Sequence, residues 1–215
     1  MIQRSIFYTA WLIVIYFALY LASIALSYFN FDMQYGFLKA KQHMLSNQLW
    51  LVFFFVHLFF GALATLSGWP LFFSKLIAFR SKTHQRLGQL YVYSILFFTG
   101  PTGLYLAFFA EGGSWATVGF LAMCFCWMLP TYRALYHVLH QNFQKHYEWM
   151  IRSYAMTLSG VTLRLFMPFG SKIDMLTEQT VFVMSSWVFV FNILLAELII
   201  IINKPRTAAL IKQLE

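Results

Sequence analysis

Six histidines stand at intervals along a chain that is otherwise poor in ionisable groups. His84 begins the run HQRLGQLY and His146 begins HYEWMIR. His137 and His140 are three residues apart, His57 lies within an apolar stretch, and His43 lies in a polar one. A neutral imidazole keeps one ring nitrogen as a lone-pair donor, which suits it to haem iron or to a Zn or Fe ion. Arg86 and Arg152 follow His84 and His146 closely, with Arg80 nearby, and guanidinium groups pair with carboxylates such as haem propionates. His84 and His146 are the expected ligand pair, on the condition that their two segments are neighbours.

His146 also opens a stripe. Eighteen steps separate it from Arg164, which is five full helical turns, so both fall on one face. Met150, Ser153, Thr157 and Gly160 lie near the same line. Polar groups facing lipid are costly, so this face should turn toward a bundle interior or a cavity.

The elements that must carry these residues are membrane helices. Of 215 residues, 60% are hydrophobic and 10% charged, against about 45–50% apolar and about 25% charged in soluble domains. Apolar segments at about 6–28, 49–73, 87–109, 115–137, 147–166 and 180–202 are each long enough to cross a bilayer, giving an all-α, six-helix bundle in one domain. The first segment is too long for the apolar part of a signal peptide and is expected to be a retained helix. Asn203-Lys204-Pro205 is expected to close the last one.

The net charge of +8 lies in short connections and does not point to nucleic acid. Arg4, Lys75, Arg80, Lys82, Arg86, Arg133, Lys145, Arg152, Lys204, Arg206 and Lys212 fall on one side, and only Lys39, Lys41 and Lys172 on the other. Eleven against three predicts that both termini are cytoplasmic. Pro101, within Gly100-Pro101-Thr102-Gly103, and Pro130 interrupt spans and should bend them. Cys124 and Cys126 are two positions apart and read as small buried residues, not a disulfide.

Each remaining candidate has two readings. His57 is either a packed histidine bonded to a neighbouring helix or an axial ligand, with Gly61, Thr65 and Gly68 on its face making room for a flat macrocycle. Gly88, one turn from His84, would let a helix or ligand approach that histidine. His137 and His140 could chelate a metal or simply end a span, the second reading being preferred for His140. Arg164 either snorkels to the interface or clamps an anion beside His57. Glu197, inside the last span, is expected to pair with Arg133.

With HQRLGQLYV and HYEWMIRSYAMTLSGVTLRL in view, residues of about 50–166 resemble a family of bacterial predicted membrane proteins of unknown function. That family carries an H-R-x-x-G-x-x-Y-like motif, an H-x-x-W-M-x-R-x-Y-like motif and a span histidine followed by glycine, here His57 and Gly61. Gln85 stands where the family usually has arginine, with Arg86 next to it. The chain is more loosely similar to six-helix dihaem b-type cytochromes, which pair histidines of neighbouring spans toward each surface. That likeness implies an inner pair of His84 and His146. The outer pair is incomplete, because His57 has no evident partner at its depth.

The preferred expectation is a multi-pass protein of the bacterial cytoplasmic membrane that binds haem b and transfers electrons, an oxidoreductase in the wider sense, with a quinone or other small redox molecule as partner. A Zn or Fe enzyme built on His84, His137 and His146 is an alternative. The scarcity of carboxylates near them counts against hydrolysis. A carrier or channel lined by the stripe and by the Gly100-Pro101 break is the third.

Overall fold

The computed structural model describes residues 2–72, 81–173 and 175–214, with side chains placed for 9, 11–72, 81–173 and 175–203. Lys75, Arg80 and Asp174 lie outside the described residues, and the side chains of Arg4, Lys204, Arg206 and Lys212 outside the described side chains. Ten α-helices follow in order among the described residues: α1 (Ile2–Ser27), α2 (Gly36–Ala40), α3 (Gln48–Gly68), α4 (Lys82–Tyr93), α5 (Gly100–Ala107), α6 (Gly113–Leu139), α7 (Phe143–Thr157), α8 (Ser159–Gly170), α9 (Glu178–Trp187) and α10 (Phe189–Leu214). A π-helical segment, Ser94–Thr99, joins α4 to α5. No strand occurs among the described residues.

Among the described residues, five segments are long and apolar enough to cross a membrane: Trp11–Asn30, Gln48–Phe72, Lys82–Ala107, Gly113–Leu139 and Glu178–Asn203. The segment expected at 147–166 is instead two helices of 15 and 12 residues, broken at Leu158. Neither piece alone is long enough to span. The last helix does not close at Asn203-Lys204-Pro205 but runs on to Leu214.

Polar caps set where the helices begin. The side chains of Asn47, Ser81, Asn142 and Thr177 accept the backbone N–H of Trp50, His84, Lys145 and Thr180, satisfying donors that a first turn leaves open. The Ser81 cap holds His84 in the first turn of α4, and the Asn142 cap does the same for the turn that contains His146.

Packing follows from small residues and paired hydroxyls more than from aliphatic bulk. One core joins α3, α4, the π segment, α6 and α7 through Ala64, Tyr91, Val92, Ile95, Ala134, Met150 and Tyr154. A second, around Leu38, Trp50 and Phe54, holds the first loop against α1 and α3. Ala196 and Ile200 of α10 pack on Ile151 of α7. Gly68 is where α3 admits two rings: a Cβ there would lie 2.5 Å from Tyr154 and 2.8 Å from Tyr91.

Inside this packing the stripe face of α7 is filled by hydrogen bonds. The Tyr91 hydroxyl lies 2.7 Å from Ser153 Oγ and 2.9 Å from Thr157 Oγ1. Thr131 Oγ1 lies 2.7 Å from Ser153 Oγ, and Trp127 Nε1–H donates to Thr157 Oγ1 at 3.0 Å. Tyr91, Thr131 and Ser153 are fully buried. The stripe is thus a seam between α4, α6 and α7 at Ser153 and Thr157.

Side-chain donors meet backbone carbonyls at two helix interruptions. At the Leu158 break, Asn192 Nδ2–H donates to Ala155 O at 3.1 Å and to Ser159 Oγ at 3.0 Å, while Thr162 Oγ1–H donates to Asn192 Oδ1. Near Pro101, Thr102 Oγ1–H donates to Phe98 O at 2.7 Å.

One ion pair that the sequence pattern did not suggest joins the first loop to the α5–α6 turn: Lys41 Nζ lies 2.5 Å from Glu111 Oε1 and donates to Phe109 O at 2.6 Å. Lys41 is buried, so removing its ammonium would leave acceptors without their donor. The two cysteines are free, Cys124 buried and Cys126 half-buried.

The seam predicts that Tyr91→Phe lowers stability by about 1–2 kcal/mol, the scale for lost interhelical hydrogen bonds. Tyr93→Phe, at an exposed position on the same helix, should be neutral. Thermal unfolding in detergent of both variants compares them directly.

Candidate functional site

The seam also sets the relation between the two principal histidines. Tyr91 is seven residues after His84, and Ser153 is seven after His146. Seven residues are close to two helical turns, about 10 Å of rise. α4 and α7 both start from a capped end and run into the bundle, so the Tyr91–Ser153 contact brings His84 and His146 to one depth. The two imidazoles are near enough for the charge of one to act on the other. α4 and α7 meet through the long side chain of Tyr91, which reaches Ser153 and Thr157.

His146 is oriented from behind. Its Nδ1–H donates to Ala134 O of α6 at 2.8 Å, which leaves Nε2 as the lone-pair nitrogen of the neutral ring. A neutral imidazole steadied through Nδ1 is the form that binds metals and haem iron. His84 is half-buried, with Nδ1 enclosed by protein. A Cβ on Gly88, one turn on, would meet no described atom within 4 Å.

The other candidates divide. His137 lies within electrostatic reach of His146, but Lys145, Arg133 and His140 also act on it. His140 is satisfied locally: Nδ1–H donates to Tyr136 O at 2.8 Å and its ring stacks on Tyr136. No group of three or more His, Cys, Asp or Glu able to hold a metal ion occurs among the described residues. The three-histidine centre of His84, His137 and His146 is therefore not assembled. Three donors from three helix ends need a closer convergence than these helices give.

Arg152 is not free to hold a propionate. Its Nε and Nη2 donate to the two carboxylate oxygens of Glu197 at 2.5 and 2.8 Å, and its guanidinium lies 4.6 Å from the Trp149 ring. This corrects the expected Glu197–Arg133 pair, because α10 packs Ala196 and Ile200 against Ile151 and so presents Glu197 to the neighbouring Arg152. Arg133 and Arg86 are exposed. Of the expected propionate partners, Arg86 is the one that remains among the described residues.

His57 is a tie between helices. Its Nδ1–H donates to Thr99 O at 2.9 Å, where the helix changes from π to α form, and Thr99 Oγ1 lies 3.2 Å from the same nitrogen. A Cβ on Gly103 would come within 3.0 Å of the His57 ring. The small-residue face of α3 makes no room for a macrocycle. Gly61 meets Thr99, Tyr154 O–H donates to Thr65 O, and Gly68 meets Tyr154 and Tyr91. Arg164 lies at the far end of the stripe, near enough for its charge to act on His57. Its Nη1–H donates to Gly160 O at 3.1 Å.

Sequence reasoning missed Asn192, Lys41 and Tyr91. An asparagine within an apolar run was a visible signal for the first; Lys41, in a polar loop, gave none. Tyr91 was noted only as the end of a motif.

These features define a polytopic helical membrane protein whose conspicuous imidazole pair is held at one end of a hydroxyl-sealed bundle. The family described as "Predicted membrane protein (DUF2306)" matches residues 54–200. The chain belongs to that family, which has no assigned function, and the match reaches past the motifs of α4 and α7 to include Asn192 and Glu197. No curated protein and no solved structure matches the chain.

The ion pair yields a test. Arg152→Ala should lower the thermal midpoint clearly, whereas Arg133→Ala should leave it unchanged. Arg152 and Glu197 are partly exposed, so the expected loss is about 1–2 kcal/mol, below that of a fully buried pair.

Proposed function

We propose that this protein is a membrane electron carrier, an oxidoreductase in the wider sense, that binds haem b between His84 and His146. What supports this reading is the Tyr91–Ser153 hydrogen bond, seven residues on from each histidine, together with the Nδ1–H of His146 donating to Ala134 O. When bound, haem would supply a reversible one-electron couple.

The roles of the chain's own residues follow. Ser81 holds the first turn of α4 and so places His84. Ala134 O orients the His146 ring. Gly88 places no side chain on the flank beside His84. Arg86, two residues from His84 and exposed, offers a cation to a carboxylate at the surface. Arg152 is held by Glu197 and lies against the Trp149 ring, so it would not serve a propionate.

The same reading counts six crossings. α7 and α8 together form the fifth, with the Leu158 break inside it, and the excess of Lys and Arg places both termini in the cytoplasm. The membrane is the bacterial cytoplasmic membrane. A mononuclear Zn or Fe centre is the weaker reading, since such sites use three or four protein donors.

Absorption spectra of protein purified in detergent from haem-replete cells test the proposal. A Soret band that sharpens and shifts on dithionite reduction is expected. It should be lost in His84→Ala and His146→Ala and kept in His43→Ala and His57→Ala. A colourless wild-type protein, or equal retention in all four variants, rules the assignment out.

A further inference from the structure

At the end of the bundle that carries His84 and His146, the outer face of α6 changes from apolar to basic. Leu129, Tyr132, Arg133, Tyr136, Leu139 and His140 are all exposed there. They recur at steps of three or four residues, or stand beside one that does, so they form one stripe along the helix. The stripe faces outward: Tyr132 is 54% and Leu139 71% exposed. The rings in it are fixed to one another, with Tyr136 stacked on His140 at 4.1 Å and edge-on to His137 at 5.3 Å.

α7 adds a second cation beside it. His146 donates to Ala134 O at 2.8 Å, and the N–H of Asn142 donates to His137 O at 2.8 Å. Lys145 lies between those two residues in the chain, its own N–H capped by Asn142, and its side chain is exposed. The last two turns of α6 and the first turn of α7 therefore present Arg133 and Lys145 from one end of the bundle.

Arg133 is six residues, about 9 Å of helix, before the end of α6 at Leu139. A guanidinium at that depth on an outward face needs an anion or must reach the interface along its own stem. The chain supplies no such anion among the described residues. Its ion pairs there are Lys41–Glu111 and Arg152–Glu197, and Glu148 of α7 accepts from Gln144 at 2.9 Å. The counter-ion must come from outside the chain, at the boundary between the apolar Leu129 and the helix end.

A phospholipid brings an anion to that place. Its phosphate oxygens can accept two parallel hydrogen bonds from a guanidinium, while its acyl chains lie along the apolar part of the same stripe. A zwitterionic headgroup would also bring an ammonium close to Arg133 and Lys145, with no carboxylate to receive it. A headgroup ending in uncharged glycerol avoids that repulsion. We infer that Arg133 and Lys145, flanked by Tyr132 and Tyr136, form a binding site for the headgroup of an anionic phospholipid lying against α6. Binding requires no haem, so this site and the electron-transfer reading fail separately.

Native mass spectrometry of the full chain released from dodecylmaltoside, titrated with phosphatidylglycerol or with phosphatidylcholine of the same acyl chains, tests the site. A saturable phosphatidylglycerol adduct is expected, about tenfold tighter than that of phosphatidylcholine. Arg133→Gln should weaken it about tenfold, the scale for losing a hydrogen bond to a charged group, and Lys145→Gln should weaken it less. Arg133→Lys should retain part of the affinity, and Lys172→Gln, an exposed cation beyond the far end of α8, should leave it unchanged. Crosslinking of the unmodified protein to a photoactivatable phosphatidylglycerol in nanodiscs covers the case in which a variant does not fold, with label expected on the C-terminal half of α6. Equal affinity for the two lipids overturns the inference, as does phosphatidylglycerol affinity unchanged in folded Arg133→Gln, or label confined to other helices. Inorganic phosphate tests the soluble source. If it displaces phosphatidylglycerol and itself binds in an Arg133-dependent way, the site is one for a soluble anion and the lipid assignment fails.

Discussion

The hydrogen bonds that meet at Ser153 govern the arrangement of this bundle. Thr131 Oγ1–H donates to Trp127 O, so Ser153 Oγ donates to Thr131, and Thr157 Oγ1–H donates back to Ser153 O. Tyr91 then supplies the remaining donor, with both Ser153 and Thr157 within reach. Each hydroxyl of the seam has an acceptor, which is the condition for placing polar groups away from water. Shifting α4 along α7 by one turn would strand these hydroxyls, so the seam fixes their register. His84 and His146 inherit that register two turns away.

The same requirement explains the places where helices are not regular. A backbone carbonyl freed at the Leu158 break or near the π segment costs energy in apolar surroundings unless a donor replaces the lost N–H. Asn192 does this for Ala155, Thr102 for Phe98, and His57 for Thr99. His57 is therefore best understood first as part of the backbone's hydrogen bonding.

Charge is handled with equal economy. Lys41 reaches Glu111 and a carbonyl, and Arg152 holds Glu197 with two parallel hydrogen bonds while stacking near Trp149. These cations are neutralised and hold elements together: the first loop to the α5–α6 turn, and α7 to α10. Arg133 and Arg164 stand apart because no described carboxylate meets them. The distinction separates cations that build the bundle from those with donors to spare.

Much of this was legible from residues alone, for a definite reason. Length and uninterrupted apolarity mark membrane helices because the bilayer sets a minimum span, and periodicity puts His146, Ser153, Thr157 and Arg164 on one face because the helical turn is constant. The family's motifs likewise belong to the sequence. Whether a polar stripe lines a cavity or a seam depends on what stands opposite, and that is a property of packing. Tyr91 and Thr131 fill the stripe, Tyr154 and Tyr91 fill the small-residue face once available to a macrocycle, and α10 presents Glu197 to Arg152 in place of Arg133. The break at Leu158 was equally hidden, since its mending donor, Asn192, comes from a helix more than thirty residues later. The sequence by itself determined a helical membrane protein and its chemically capable residues. Only the tertiary structure decided which of them meet, because register and neighbour order arise from side chains that pair across helices distant in the chain.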